Sequence, residues 1–519
     1  MKGDFSRISF DATKHFSSVL RQQGRVMLDA DHNESTAILL HYMRTLARDL
    51  LGSGAGPADN LGFQLEVKYP TDNSPPFLNI GKGRYYVDGI LVEIDHDCDY
   101  AKQPYRHPDA SDPLPKNLSL PDDQGFWIYV DVWERHVTWL EDDSIREVAL
   151  DGPDTCTRTK VVWQVRAIRR SATVDNVNAP DTNREQLLAT LKEIKKLEHM
   201  STPHMAARVD PGQGIKDPCT IAADALYRGA ENQLYRVEIH RGGRLGDKEK
   251  PTFKWSRDNG SIATHVLRRD GNDLFVTNTR GFKAGAWAEV FNKSDELAGQ
   301  PGILVKIVGV ASDRLNIENP KGVITLLPSL NSIVRQWDQT ENGDVTFDPD
   351  DHAIPIVEGE WLPLEDGIQV KFEKPSHGNA TTTYRTGDYW WIAARAATGS
   401  IIWPTMKIKD NIKWLPKPPD GVEHHYAPLG YLYWNGNSPM AGGCRNTIER
   451  PVALANVDQQ QPRQFDAVTT KKLPASKKFE WPVVFANADQ QQQQEQQQKQ
   501  VDAVATKKLP ASKKSRAKT

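Results

Sequence analysis

Alternation of apolar and polar residues, punctuated by Gly-containing turns, runs through most of residues 62–435 and confines this chain to a β-rich fold. In FWIYVDVWERHVTWL and VVWQVRAI the β-branched and aromatic residues recur with a period of two, which matches a strand's two faces and not a helix stripe. LNIGKGRYYVDGILVEID holds two such runs, with Gly83 before the first and Asp88-Gly89 between them, the sequence of a two-residue hairpin turn. QLYRVEIHRGG and TFKWSRDNGSIATHVLRR add two strands joined by a polar loop. FKAGAWAEVFNKSDELAGQPGILVKIVGV, with VITLLP after it, reads as a small antiparallel barrel or sandwich. YRTGDYWWIAARAATGSIIWP and HHYAPLGYLYW complete the ordered body.

Two segments break this pattern with helical periodicity. Asp31 and Glu34 stand three apart as in a capping box, and Leu39, Met43, Leu46 and Leu50 then recur at three- and four-residue spacing up to a stop at Gly52. The stripe predicts core packing, with docking onto a partner as the other use of an amphipathic terminal helix. A second helix is expected over Asn183–Met200, with Leu187, Leu188, Leu191, Ile194 and Leu197 on one face. The fold class is therefore mainly β (α+β), with an N-terminal helical segment, antiparallel sandwich or barrel-like domains and a disordered C-terminal tail. The divisions are 1–60, an N-terminal segment with the helix; 61–180, β-rich; 181–230, a helical insertion or linker; 231–458, β-rich with the barrel-like part around 270–330; and 459–519, the tail.

The tail is a tandem duplication: ERPVALANVDQQQPRQFDAVTTKKLPASKK from Glu449 to Lys478 returns from Glu480 to Lys514 with a longer Gln run. Its PVALAN phrase can supply a last strand to the body, but Gln, Lys and Ser have nothing to bury against an ordering cost of about 1–2 kcal/mol per residue. The formal net charge of −3 divides into a tail with 12 Lys and Arg against 5 Asp and Glu and a body at −10. A basic arm for nucleic acid or an anionic surface is the alternative use of this tail. Paired lysines with no interleaved aromatic argue against nucleic acid.

No apolar run approaches the roughly 18–20 residues of a spanning helix, and the start has no apolar stretch after Lys2, so neither a membrane span nor a secretory signal is expected. Cytoplasmic synthesis and assembly follow as the expectation. The scattered Cys98, Cys156, Cys219 and Cys444 read as free buried thiols. Glu238, His240, Asp258 and His265 could supply a carboxylate pair or a metal site, but nothing fixes their spacing and strand-surface polarity explains them. His424 and His425 are adjacent and on a strand would face opposite ways. Asp151, Asp154, Arg146 and Arg158 crowd a Gly/Pro loop where turn formation and surface pairing suffice. Hydrolase, zincin and P-loop motifs are missing, so no catalytic, cofactor or metal residue is assigned and an enzyme is not expected. The 14 Trp hint at carbohydrate contact, although Trp127, Trp133, Trp163, Trp255 and Trp391 lie in alternating strands where core packing explains them.

Several phrases closely resemble a functionally uncharacterised bacterial family encoded among baseplate and tail genes of phage-tail-like contractile injection systems. They are MKGDFSRISFDATKHFSSVLRQQGRVMLDADHNE, GRYYVDGILVE, EVALDGPDTCTRTKVVWQVRA, LYRVEIHRGG with TFKWSRDNGS, and GDYWWIAARAATGSIIWP with HHYAPLGYL. The resemblance covers most of the first 440 residues and leaves the duplicated tail outside the pattern. It implies a structural component of such a particle, baseplate or tail-fibre-like, with receptor binding as an added role and release as part of an extracellular particle. The partners implied are other particle subunits, further copies of the chain in a symmetric assembly, and a cell-surface glycan. The N-terminal segment is the implied attachment end, through Phe10, His15, Phe16, Leu20, Arg25, Leu28, Leu39, Met43 and Leu46, and removing residues 1–52 is expected to leave a folded body. A carbohydrate-binding or carbohydrate-cleaving β-rich module is the alternative.

Overall fold

The Asp88-Gly89 turn forms as its sequence requires. Both residues sit at positive φ, 47° and 83°, and Gly83–Val87 pairs in register with Ile90–Ile94 around them, the geometry that matches strand twist in a two-residue hairpin. The computed structural model describes residues 1–448 except 73, 106–112, 116, 120–121, 123–124, 151–153, 171–179, 211–225, 319–323, 325, 327–331, 342–344, 375–380 and 409–410. The duplicated tail, with its expected last strand and disorder, lies outside the described residues. Strands take 41% of the described residues and helices 17%, so the protein is mainly β with several antiparallel sheets.

That hairpin belongs to a sheet ordered Thr447–Ile448, Gly54–Pro57, Gly83–Val87, Ile90–Ile94. It faces a second sheet ordered Ser438–Gly443, His425–Asn435, Phe126–Val137, Arg158–Arg169. Tyr85, Val87 and Val92 from the first meet Ile128, Val130, Trp163, Leu429 and Leu432 from the second in one apolar core. Because His425–Asn435 pairs with Phe126–Val137, the last strands of the body complete its first β layer. The divisions drawn at 61–180 and 231–458 cut across this sheet, since alternation marks a strand but not its partner.

A second core lies between a five-stranded sheet (Ile354–Pro355, Thr252–Ser256, Gln233–Arg241, Tyr389–Arg395, Ser400–Ile402) and a three-stranded one (Leu362–Pro363, Ile368–Glu373, His204–Val209). Tyr235, Val237, Ile239, Phe253 and Trp390 pack there against Met205, Val370 and Phe372. Between Thr252–Ser256 and the later strands the chain builds a closed six-stranded barrel, Ala263–Asp270, Asp273–Val276, Arg314–Ile317, Ile303–Val310, Trp287–Asn292 and Ser332–Trp337. Its interior is filled by Val266, Leu274, Val290, Val305, Ile307 and Val334, as a small barrel requires.

Among the described residues three α-helices accompany the sheets. Helix α1 is Asp29–Leu51, and Gly52 (φ 74°) ends it by donating its N–H to Arg48 O at 2.8 Å. Helix α2, Pro180–Ser201, lays Leu187 and Leu191 on Trp127, Tyr129 and Tyr431 of the outer sheet face. Leu197, expected on the same face, is exposed. Helix α3 is the short Lys293–Leu297, closed by a capping box between Asn292 and Asp295. Of the cysteines expected to be buried, Cys444 is buried, Cys98 half-buried and Cys156 exposed, while Cys219 lies outside the described residues.

Candidate functional site

On strand Gln233–Arg241, residues 235, 237 and 239 enter the apolar core, so Arg236, Glu238 and His240 share the other face. Sequence alternation marks that face as solvent-exposed. The structure buries it instead, because the barrel strand Trp287–Asn292 and the first residues of the chain cover it: Arg236, Glu238 and His240 are 2%, 3% and 1% exposed. Lys254, paired across the sheet with Glu238, puts its ammonium 2.6 Å from Glu289 and 3.4 Å from Glu238. It also lies 3.3 Å from His240 Nδ1 and over the Trp337 ring. Arg236 Nε is 2.5 Å from Glu238, and Trp337 Nε1 donates to Glu289 at 3.1 Å. None of Lys2, Arg236, Lys254, Glu289 or Glu296 was singled out by sequence reading. The available signal was a charged residue at every second place of RVEIHR, opposite the lysine of TFKWS.

The chain's first residues complete this cluster. Lys2 Nζ reaches Glu238 at 3.4 Å and Glu296 at 2.8 Å. Arg236 Nη1 donates to Met1 O at 3.0 Å, and Asn259 Nδ2 donates to Met1 O and Gly3 O at 3.2 and 2.9 Å. Lys2 N donates to His136 Nδ1 at 3.3 Å. Three carboxylates thus meet four cations, the fourth being Arg135 at 3.6 Å from Glu296. Burial pushes the Glu238 carboxyl up, but Lys2, Arg236 and Lys254 together pull it down to about 2. Glu289 and Glu296 are also held below the ordinary range, against burial, chiefly by Lys254 and Lys2 respectively. A carboxylate pair for acid–base chemistry needs a substrate beside it. Glu238 and Glu289 are instead sealed by protein, and the cluster acts as a polar lock joining sheet, barrel and N-terminus.

The remaining candidates separate. Asp258 borders an open cavity of about 330 Å³ lined also by Gly3–Ser6, Asp29, Asn232 and Arg257; burial first, then Asp338, raises its carboxyl above the ordinary value. His265 is buried in the barrel wall with its ring against Trp139. His424 and His425 turn to different acids, Asp131 at 2.7 Å and Asp88 at 3.0 Å. In the Gly/Pro loop Arg146 pairs with Asp143 at 3.1 Å, and Asp151 lies outside the described residues. Trp127, Trp133, Trp163 and Trp255 are buried and Trp391 half-buried, its Nε1 donating to Asn259 at 2.9 Å. Among the described residues, no three His, Cys, Asp or Glu side chains converge as metal ligands.

Beyond the lock, the N-terminal segment turns outward. Ser6 N and Oγ donate to Asp29 at 2.9 and 2.5 Å, and Ser9 Oγ donates to Glu34 at 2.5 Å. The helix starts at Asp29, two residues before the expected capping box, so Asp29 and Glu34 anchor the incoming chain and leave the cap without a side-chain bond. Residues 11–28 leave from this point and return to it as a protruding loop. In it Phe16, Leu20, Val26 and Met27 are 54%, 83%, 84% and 61% exposed.

Helix α1 buries only Ala30 and Ile38. It is tied to the body by Arg44, bidentate on Glu134 at 2.8 Å, and by the ring of Phe10 at 5.7 Å from His41. Its expected core stripe points into solvent: Leu39, Met43, Leu46 and Leu50 are 60%, 59%, 62% and 75% exposed. Of the nine residues expected at the interface, Phe10 is half-buried, and His15, Phe16, Leu20, Arg25, Leu28, Leu39, Met43 and Leu46 are exposed. Each large apolar side chain left in water forgoes roughly 1.5–3 kcal/mol of burial, and contiguous patches of this kind mark interaction sites.

These features define a multi-sheet β protein with an internal charged lock and one outward apolar surface beside its N-terminus. The chain belongs to a family of unknown function, DUF6519, whose model matches residues 1–194 and 170–516. No curated protein and no solved structure matches it. No described helix is long and apolar enough to cross a membrane.

Proposed function

We propose that this chain is a structural subunit of a phage-tail-like contractile injection particle, attached through the loop 11–28 and the outward face of α1. The observation that carries the reading is the row of exposed apolar residues from Phe16 to Leu50 on a segment whose helix is fastened to the chain's first residues by Ser6 and Ser9 and to the body by Arg44. A fixed apolar surface is what a permanent subunit contact needs, because the ordering entropy is already spent before docking. The buried tryptophans and the sealed carboxylates favour assembly over sugar chemistry as the body's role.

Ser9 and Ala30 lie within 3.5 Å of each other, so residues 12–27 can be replaced by a short Gly/Ser linker with the lock left in place. The shortened protein is expected to keep the wild-type circular dichroism spectrum and to disappear from contractile particles sedimented out of the producing cells. Unchanged co-sedimentation of a folded, shortened protein, or failure of the intact protein to sediment with such particles at all, overturns the reading.

A further inference from the structure

Arg170 follows the last residue of strand Arg158–Arg169 and is 4% exposed. Its guanidinium lies over the rings of Trp127 and Tyr431, at 4.5 and 5.9 Å. The same two rings pack against Leu187 of α2, and Asn183, near the start of α2, bonds to the Tyr431 hydroxyl. A guanidinium carries five donors and no acceptor. Other arginines of the strand turn theirs to acids, Arg166 to Asp131 at 3.0 Å and Arg169 to Asp122 at 3.1 Å. Among the described residues the Arg170 side chain meets no such acid, and its buried Nε has no hydrogen-bond partner.

Two more arginines stand nearby in a similar condition. Nε of Arg184 and of Arg445 is likewise buried without a partner, although Arg445 Nη1 donates to Gly62 O at 2.6 Å. Burial pushes the Cys444 thiol up to about 11 while Arg184 and Arg170 pull it down, so both guanidinium groups lie within electrostatic reach of that one buried side chain. Burial also holds Arg170 and Arg445 below their ordinary values. The groups that oppose it are Tyr431 and Cys444 for the first and Tyr85 for the second. No carboxylate stands in either set. Glu185, the acid next to Arg184, is exposed and forms no ion pair among the described residues.

Buried cations without a counter-charge are costly, because the desolvation of each is not repaid. The group that repays it here is an anion. A guanidinium fork matches the paired oxygens of a phosphate or carboxylate, and the N-terminal end of α2 adds a partial positive charge of its own. We propose that Arg170 and Arg184, with Arg445 as a third donor, bind a small oxyanion of the phosphate type beside Cys444, and that this ion fastens α2 to the first β layer. None of these residues belongs to the N-terminal segment, so the site stands or falls apart from the attachment reading.

The purified full-length protein, dialysed free of phosphate, is expected to take up one labelled inorganic phosphate per chain in equilibrium dialysis. Arg170→Met and Arg184→Met should each weaken that binding by about tenfold or more. Competition by phosphoserine would assign the site to phosphate monoesters as well, and its absence to the free ion. Thermal unfolding separates binding from simple packing of Arg170 on its rings. In chloride at matched ionic strength Arg170→Met is expected to unfold at or above the wild-type midpoint, since it removes an unpaired buried charge. In saturating phosphate it is expected to unfold below wild type, since only the wild type gains from the ligand. The general stabilising effect of phosphate acts on both proteins and leaves this reversal intact. No phosphate uptake by the wild type, uptake that both variants retain in full, or an Arg170→Met midpoint lower by the same amount in both salts overturns the proposal. Should Arg170→Met not fold, the half-buried Arg184→Met carries the same comparison of dialysis and midpoints.

Discussion

At the scale of single residues, the decisive feature is that the charges facing the barrel have no water to fall back on. Lys254 is 2% exposed and serves Glu238 and Glu289 together. Lys254→Met leaves the buried Glu289 without the ammonium that pairs with it at 2.6 Å, a change of the kind that destabilises by about 3–5 kcal/mol. A urea unfolding midpoint close to wild type would show that the lock contributes nothing. The pH dependence has a definite sign. Folding depresses the Glu238 carboxyl to about 2 from its ordinary 4.5, so between these values the unfolded chain binds the proton first. Its stabilisation is complete above the ordinary value and is lost as pH falls through about 2. The contribution of Glu238 to the unfolding free energy is therefore expected to be flat near neutrality and to drop below pH 4.5. Glu238→Gln should lower the neutral plateau and reduce that acid slope by up to about 1.4 kcal/mol per pH unit. An identical acid slope in the variant would count against the assignment.

At the scale of elements, the two long helices look alike in sequence and differ in use. Leu187 and Leu191 of α2 sit against Trp127 and Tyr431, whereas Leu39 and Leu46 of α1 meet solvent. Leu187→Ala is expected to lower stability by about 2–5 kcal/mol, and Leu46→Ser to stay within about 0.5 kcal/mol of wild type in dilute monomer; chemical denaturation of both reads the contrast directly. The period of a helix was legible, but which side meets protein was not, because an apolar stripe suits a core and a partner equally. The Asp88-Gly89 hairpin was legible to the residue, since only that dipeptide supplies two positive φ angles there. Its second purpose was not: a Cβ on Gly89 would lie 2.1 Å from Arg44 O of α1. Gly89→Ala is thus expected to strain the turn and push α1 off its seat, destabilising by about 1–3 kcal/mol. An unshifted thermal midpoint would mean that α1 yields freely. The barrel was legible as a run of short strands and Gly turns, and the buried charges were not, because alternation reports two faces and not what covers the second.

At the scale of the whole molecule, the N-terminal residues belong to the body as much as to any attachment. Removing residues 1–52 was expected to spare the fold, yet it takes away Lys2, which touches Glu238 in the five-stranded sheet and Glu296 in α3 beside the barrel. It also removes Gly3, whose carbonyl accepts from Asn259 at 2.9 Å. The first ten residues therefore pin sheet to barrel, and residues 11–51 carry the outward surface. Two deletions that sequence alone would treat as equivalent should separate. Loss of residues 1–10 exposes or orphans the charges of the lock and is expected to make the body cleavable between sheet and barrel, while replacement of residues 12–27 leaves protease resistance at the wild-type level. Limited proteolysis followed by mass mapping distinguishes them, and equal resistance of both proteins would sink the claim that the N-terminus is structural. Because the same segment is locked at its start and displayed beyond it, Ser6, Ser9 and Lys2 connect the apolar surface to the junction of sheet and barrel.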